Sequence, residues 1–495
     1  MINLPLSIRH GAGVLCLLVF APLVSVAEHI EPPQNPFLAD SPWPISHQNS
    51  YLQGSSSLPG PLRGDRFRVQ YQDAEPGSIT LAYGPKDDRG NRAIWGNSLK
   101  HIYKIDANGK KWIYAVRQPR RRPIRSALSG AYCLVDCDGV FYTANLQTIE
   151  AFGDQCVGNS LSGIRKLRQF NIPACQVQSD SEKIIGLNMT YDGFLVFVTS
   201  HGTVGVLSRD LKCQSFVRTG KNERVSNSLA VDEDGGIYVV TTKYMYRFQW
   251  DDAGLTTRWK APYKTADQDF PGRFGAGSGT TPSLMGVGDQ DKFVVICDGQ
   301  RLMHLLLYWR DEIPADWCPI DPRNPRLAAE TPIRFGDRET SRSSTEQSVL
   351  VSGYDAAVVS NDYGQIRRRP KSRTMTDFLR AYLSGHEHIR PYGVEKFSWD
   401  PICRRLTSTW ANRCLSCPNA IPTMSRATMQ MYFIGNRERT WTLEAVDWNS
   451  GASNFFLPLG NKQRFNSYFS GTQIGTSGDI VTGTFTGLLR ISPER

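Results

Sequence analysis

Residues 227–240 read NSLAVDEDGGIYVV, and the pattern of this stretch decides the fold. An apolar run leads into Asp234-Gly235, and a second run of Ile, Tyr and Val follows. Asp and Gly accept the positive φ that two-residue hairpin turns require, while the flanking β-branched and aromatic residues suit a pleated surface. The same design recurs at residues 130–144 (GAYCLVDCDGVFYTA) and 186–200 (GLNMTYDGFLVFVTS), with looser copies at 281–297, 348–362, 421–435 and 471–484. A second hairpin often follows the first, as at 101–116 (HIYKIDANGKKWIYAV), 244–259 (YMYRFQWDDAGLTTRW) and 442–457 (TLEAVDWNSGASNFFL). Two hairpins in series make four antiparallel strands, which is one propeller blade. About eight such units can be traced. Their spacing is uneven, and the expectation is an all-β chain, a β-propeller of seven or eight four-stranded blades.

The chain ends fit ring closure. The last unit, 471–491, supplies three strands, and residues 78–83 (SITLAY) are expected to complete its sheet and remove the open edge. Residues 63–495 then form a single propeller domain. A long insertion around 363–400 interrupts it, with a short helix over 374–383. Residues 28–62, rich in Pro, Ser and Asn, read as an extended N-terminal arm on the surface.

The first 27 residues have the layout of a secretory signal peptide. Arg9 and His10 precede an apolar stretch at 12–23, and Ser25-Val26-Ala27 supplies a small-x-small cleavage site. A periplasmic or secreted protein is therefore expected. No later stretch reaches the roughly 20 apolar residues of a membrane-spanning helix. Eleven cysteines include Cys16 inside the leader, and the even number beyond it permits disulfides in an oxidising compartment. The formal charge of +10 points to an anionic partner.

Residues 227–240, the following YMYRF at 244–248, and GSGTTPSLMGVGDQDKFVVICDG at 277–299 resemble a family of exported bacterial propeller proteins. IIGLNMTYDGFLVFVTSHGTVGVLSRD (184–210) and ADSPWPISHQNSYLQGSS (39–56) look like the same family. The resemblance runs over nearly the whole chain beyond the leader and implies fold and location, with little about activity. A weaker likeness links the chain to calcium-dependent lactonase and gluconolactonase propellers, whose inner strands carry an Asn ahead of an Asp-Gly turn. Asn227 stands seven residues before Asp234, as that pattern wants. In the neighbouring unit Ile185 holds the equivalent place and Asn188 falls in another phase.

Inner strands of a propeller converge on a central channel, so polar residues where they begin are the natural ligand contacts. Asn227, Thr281, Gln347 and Asn188 are candidate ligand-binding residues on this ground. Glu346 is the candidate catalytic group, a carboxylate able to act as a general base. Asn227 and Glu346 together could supply oxygen ligands to Ca²⁺. The acidic Asp-Gly loops at 136–139 and 232–235 lack the distal Glu of a calcium loop and read as turns. His386, His388, Cys403, Cys414 and Cys417 could compose a zinc site, but the second pair is irregular and an oxidising compartment favours a disulfide for these cysteines. Dense basic runs at 117–125 (RQPRRRPIR) and 367–373 (RRRPKSR) could bind an anionic polymer such as an acidic polysaccharide. No nucleic-acid module is apparent, nor a nucleophile elbow, phosphate-binding loop or dinucleotide fingerprint. Tryptophans are scattered rather than set in regular docking repeats. The leading expectation is a protein that binds a small molecule or an anionic envelope component at its channel or top face. The runner-up is a metal-assisted hydrolase or lactonase at the channel mouth.

Overall fold

A computed structural model describes residues 31–73, 81–98, 101–107, 114–119, 131–212, 214–266, 275–366 and 373–494. The proposed leader lies outside these residues. Eight four-stranded antiparallel sheets follow one another along the chain as the blades of a β-propeller. Blade 1 comprises Leu81–Lys86, Arg92–Asn97, His101–Asp106 and Tyr114–Pro119. The inner strands of blades 2 to 8 are Cys133–Val135, Ile184–Met189, Ala230–Val231, Ser283–Met285, Leu350–Ser352, Thr423–Ser425 and Gln473–Ile474. Every Asp-Gly turn quoted above joins an inner strand to its neighbour. The turns work because Asp232 Oδ1 accepts the Asp234 and Gly236 N–H groups, as Asp136 Oδ1 accepts those of Asp138 and Val140.

Ring closure uses a different strand from the one the sequence suggests. Arg66–Asp73 pairs antiparallel along the whole of Gly487–Glu494 and forms the outer edge of blade 8. The apolar Leu81–Lys86 instead opens blade 1 as its buried inner strand. Arg66–Asp73 does alternate, with Phe67, Val69 and Tyr71 between polar residues, and Phe67 packs on Phe455; an outer strand otherwise packs little, and this one has no Asp-Gly turn beside it to announce a hairpin. The insertion in blade 6 spans residues 360–393 and holds the helix Arg373–Leu383.

Three of the tryptophans form a regular interblade device, contrary to the scattered distribution seen in the sequence. Trp250, Trp399 and Trp448 each donate Nε1–H to an aspartate at the first turn of the preceding blade: Asp192 (2.9 Å), Asp291 (2.9 Å) and Asp355 (3.0 Å). At two other interfaces an arginine takes this place. Arg209 lies 3.5 Å from Asp136, and Arg310 lies 3.8 Å from Asp232. Both guanidiniums also stack on aromatic rings of the N-terminal arm, Arg209 on Phe37 and Arg310 on Tyr51.

That arm is not on the surface. Trp43, Ile45, Tyr51 and Leu52 are buried, and the segment threads the channel. Backbone N–H groups of Val135, Val231, Leu284, Val351 and Met424 donate to the carbonyls of Pro44, Ser50, Tyr51, Gln53 and Gly54 at 2.8 to 3.2 Å. The arm thus visits blades 2, 4, 5, 6 and 7 in turn. Ser55–Ser56 finally pairs parallel to the inner strand of blade 7. An innermost strand has one unpaired edge facing the lumen, and a buried N–H must find a partner; the arm supplies it. His47, Gln48 and Leu52 adopt left-handed φ of 64°, 83° and 57°, a strain held in place by these contacts.

Candidate functional site

The arm bonds define a common register for the inner strands. Val135, Val231, Leu284 and Val351 are equivalent, so the residues three positions earlier share one level of the channel: Tyr132, Ser228, Thr281 and Ser348. Tyr132 is the bulky member. Its hydroxyl crosses from blade 2 to Thr281 Oγ1 on blade 5 (3.3 Å) and also accepts the Ser228 N–H. Burial raises its pKa, so the phenol is neutral. His47 rises from the arm to the same level, where Nε2 lies 3.2 Å from Ser348 Oγ and the ring lies 5.9 Å from that of Tyr132. Together these side chains floor the upper half of the channel, above the arm.

The walls carry the residues expected from sequence. Asn227, on blade 4, donates Nδ2–H to the Ser278 carbonyl (3.0 Å). Glu346, on blade 6, lies against the next residue of that loop; a Cβ added to Gly279 would stand 2.8 Å from the Glu346 carboxyl carbon. The short glycine-rich loop thus connects Asn227 with Glu346. Glu346 also acts electrostatically on Tyr132. Gln347 is buried. Its Nε2 lies 3.5 Å from the Cys417 carbonyl, and its Oε1 has no hydrogen-bond partner among the described residues. Asn188 stands apart from this group. Its amide donates to the Ser50 carbonyl of the arm (3.0 Å) and the Leu229 carbonyl (2.9 Å), so it ties arm to blades.

Sequence reasoning missed Tyr132, His47 and Ser348. Tyr132 and Ser348 could have been found by aligning the inner strands on their turns, because both fall in register with Ser228. His47 lay in a segment assigned to the surface, although HQNSYLQG is flanked by apolar residues that an exposed arm would not need.

Burial pulls the His47 imidazole down to about 4, from an ordinary value of 6.5. The neutral form is therefore built into the fold, and the unfolded chain binds the extra proton. Stability contributed by neutral His47 is present above pH 6.5 and is lost as pH falls towards 4, by about 3 kcal/mol over that interval. Urea unfolding at pH 7.5 and pH 4.5 should give a larger acid loss for the wild type than for His47→Asn, a residue that tolerates left-handed φ. Equal acid losses in the two proteins would contradict a buried neutral imidazole.

Other expectations are corrected. No disulfide joins any two of the nine cysteines among the described residues, and Cys213 lies outside them. No disulfide therefore joins Cys414 to Cys417: Cys414 is exposed, whereas Cys417 is buried with Sγ against the Ala420 carbonyl. The zinc group does not assemble either, since Cys403 is exposed and His386 Nδ1 faces Arg439. Among the described residues the group with metal-binding geometry is Asp298, His304 and Glu330, whose ligand atoms lie within 4.8 Å of one another. Gln300 Nε2 already sits among them at 2.6 to 3.3 Å, and Lys264 pairs with Glu330 at 2.8 Å. The basic runs fall outside the described residues except for residues 117–119 and Arg373. No helix among the described residues is long and apolar enough to cross a membrane.

No family model matches the chain. Among solved structures, a europium-containing methanol dehydrogenase superposes with a TM-score of 0.59 at 10% identity, covering 92% of this chain and 98% of that one. The C-terminal WD40 domain of Sif2 superposes at 0.48 with 9% identity, covering 86% and 99%. The first likeness shows the propeller fold and nothing finer. In sequence, an uncharacterized protein of Archaeoglobus fulgidus is 41% identical over 465 residues, covering 93% of this chain and 89% of the relative. Identity at that level over nearly the full length of both proteins means that the chain belongs to the family of this archaeal protein.

Proposed function

We propose that the chain is a binding protein that takes a small polar molecule in the upper half of its channel and works outside the cytoplasm. The observation that carries this reading is the convergence of side chains from blades 2, 4, 5 and 6 with His47 of the arm. The chemistry favours a ligand that donates hydrogen bonds, such as a polyol or an amine. Glu346 and the Gln347 amide oxygen accept, the imidazole is uncharged, and Tyr132 and Thr281 supply hydroxyls. Tyr132 and Glu346 are both partly exposed, so solvent reaches the tyrosine of the floor and the carboxylate of one wall, with His47, Thr281 and Ser348 buried around them.

A panel of sugars, polyols and amines, read by the rise in melting temperature, tests the proposal. Compounds that stabilise the wild type should lose most of that effect with Glu346→Gln and with Thr281→Val, by about tenfold in affinity for a lost charge-assisted hydrogen bond. A panel with no response, or responses indifferent to both substitutions, would remove the support for this site.

A calcium-assisted hydrolase at the same place is the second reading, favoured by the loop that links Asn227 with Glu346. Stoichiometric calcium in the purified protein, lost together with lactonase or esterase activity in Asn227→Ala, would select it over simple binding.

A further inference from the structure

The opposite end of the channel carries a separate concavity. On the side where the inner strands end, the arm walls a bowl of about 590 Å³ against the first turns of blades 1, 7 and 8. This lies within the range of about 300–1,000 Å³ typical of small-molecule sites. Prolines 33, 42, 44 and 85 make its rim, a rigid surface with little ordering entropy left to lose.

Its polar groups are unusual. Arg92 lines the bowl with only 7% of its surface exposed. One terminal nitrogen donates to the Asp40 carbonyl (2.9 Å), while Nε has no partner among the described residues. Burial lowers the pKa of this guanidinium, and only Asp40 and Tyr83 oppose the effect. Arg426 reaches the same bowl, held by Ser55 Oγ (2.8 Å) and by the exposed Glu31 (2.6 Å). Lys86 is a third cation of the lining. Gln48, fixed by its left-handed backbone, contributes an amide oxygen that is buried and has no hydrogen-bond partner among the described residues. Cations that outnumber the carboxylates of Glu31 and Asp40 favour an anion. An orphan acceptor beside them calls for a hydroxyl or N–H donor on the same molecule.

We propose that this bowl binds a small hydroxylated anion, a sugar phosphate or a sugar acid. The anion sits against Arg92 and Arg426, where Glu31 is a solvent-exposed competitor that is easily displaced. A hydroxyl of the ring meets Gln48.

Titration calorimetry on the full chain at low ionic strength, with glucose 6-phosphate, glucuronate, glucose and inorganic phosphate, tests the idea. Glucose 6-phosphate or glucuronate should bind about tenfold or more tighter than phosphate or glucose alone, since each simple probe lacks one set of contacts. Which of the two binds tells the phosphate source from the carboxylate source. Arg426→Gln should weaken binding by about tenfold, and Thr476→Trp, at the exposed mouth, should abolish it without lowering the melting temperature. Inorganic phosphate binding as tightly as the sugar phosphate, no binding by any probe, or binding that survives Thr476→Trp would each overturn the proposal.

Discussion

Asp232→Ala is expected to lower the unfolding free energy by about 3–5 kcal/mol, because it takes from a buried cation its one fully buried counter-charge and leaves only the partly exposed Asp311, 3.8 Å away. Asp232 and Arg310 are both fully buried, 3.8 Å apart, and none of the three guanidinium nitrogens has a hydrogen-bond partner among the described residues. The same carboxylate anchors the turn through Asp234 and Gly236 and accepts the Tyr238 hydroxyl at 2.6 Å. Replacing the arginine as well, in Asp232→Ala/Arg310→Met, removes the stranded charge and should recover a substantial part of the loss. Urea denaturation of the two singles and the double gives the coupling directly. Additive losses, or a single variant within about 1 kcal/mol of wild type, would contradict this account of the blade 4–blade 5 interface.

Tyr51→Ala should be comparably damaging, at about 3–5 kcal/mol for a buried aromatic. Its ring lies under Arg310, its hydroxyl donates to Glu233, and its carbonyl accepts the Leu284 N–H of blade 5. Tyr51→Phe keeps the ring and the backbone bond and loses only the hydroxyl contact, so it should cost about 1–3 kcal/mol. The ordering of the two variants in denaturant midpoint is the measurement. A Tyr51→Ala protein as stable as Tyr51→Phe would mean that the arm merely lies in the channel without bracing it.

The hairpins were legible because each Asp-Gly turn states its own geometry, and residues such as Val231 and Ile237 on either side have no other way to be buried. The closing strand was misread because no hairpin turn announces it: Arg66–Asp73 alternates Phe67, Val69 and Tyr71 with polar residues, but its partner Gly487–Glu494 lies at the far end of the chain. The arm misled through composition. A channel lining is polar, so what fills it is polar too, and Ser50, Gln53 and Ser55 looked like surface. Asn227, Thr281, Glu346 and Gln347 were named by position alone, just before the inner strands, and position is what the structure gives them. Their companions Tyr132 and His47 reach them across the lumen, through contacts that local sequence does not record. Asn188 shared the residue type without the position, and it serves the scaffold.

The arm also constrains how the molecule can be assembled. Residues 43–56 leave the ribosome before any blade, yet they touch inner strands as late as Met424. Once Arg66–Asp73 has sealed blade 8, a chain could enter the lumen only by threading, so the ring must gather about a segment that is already there. The earliest part of the chain is then a mandrel for the rest. Pairings that span most of the sequence make such a molecule slow to mature.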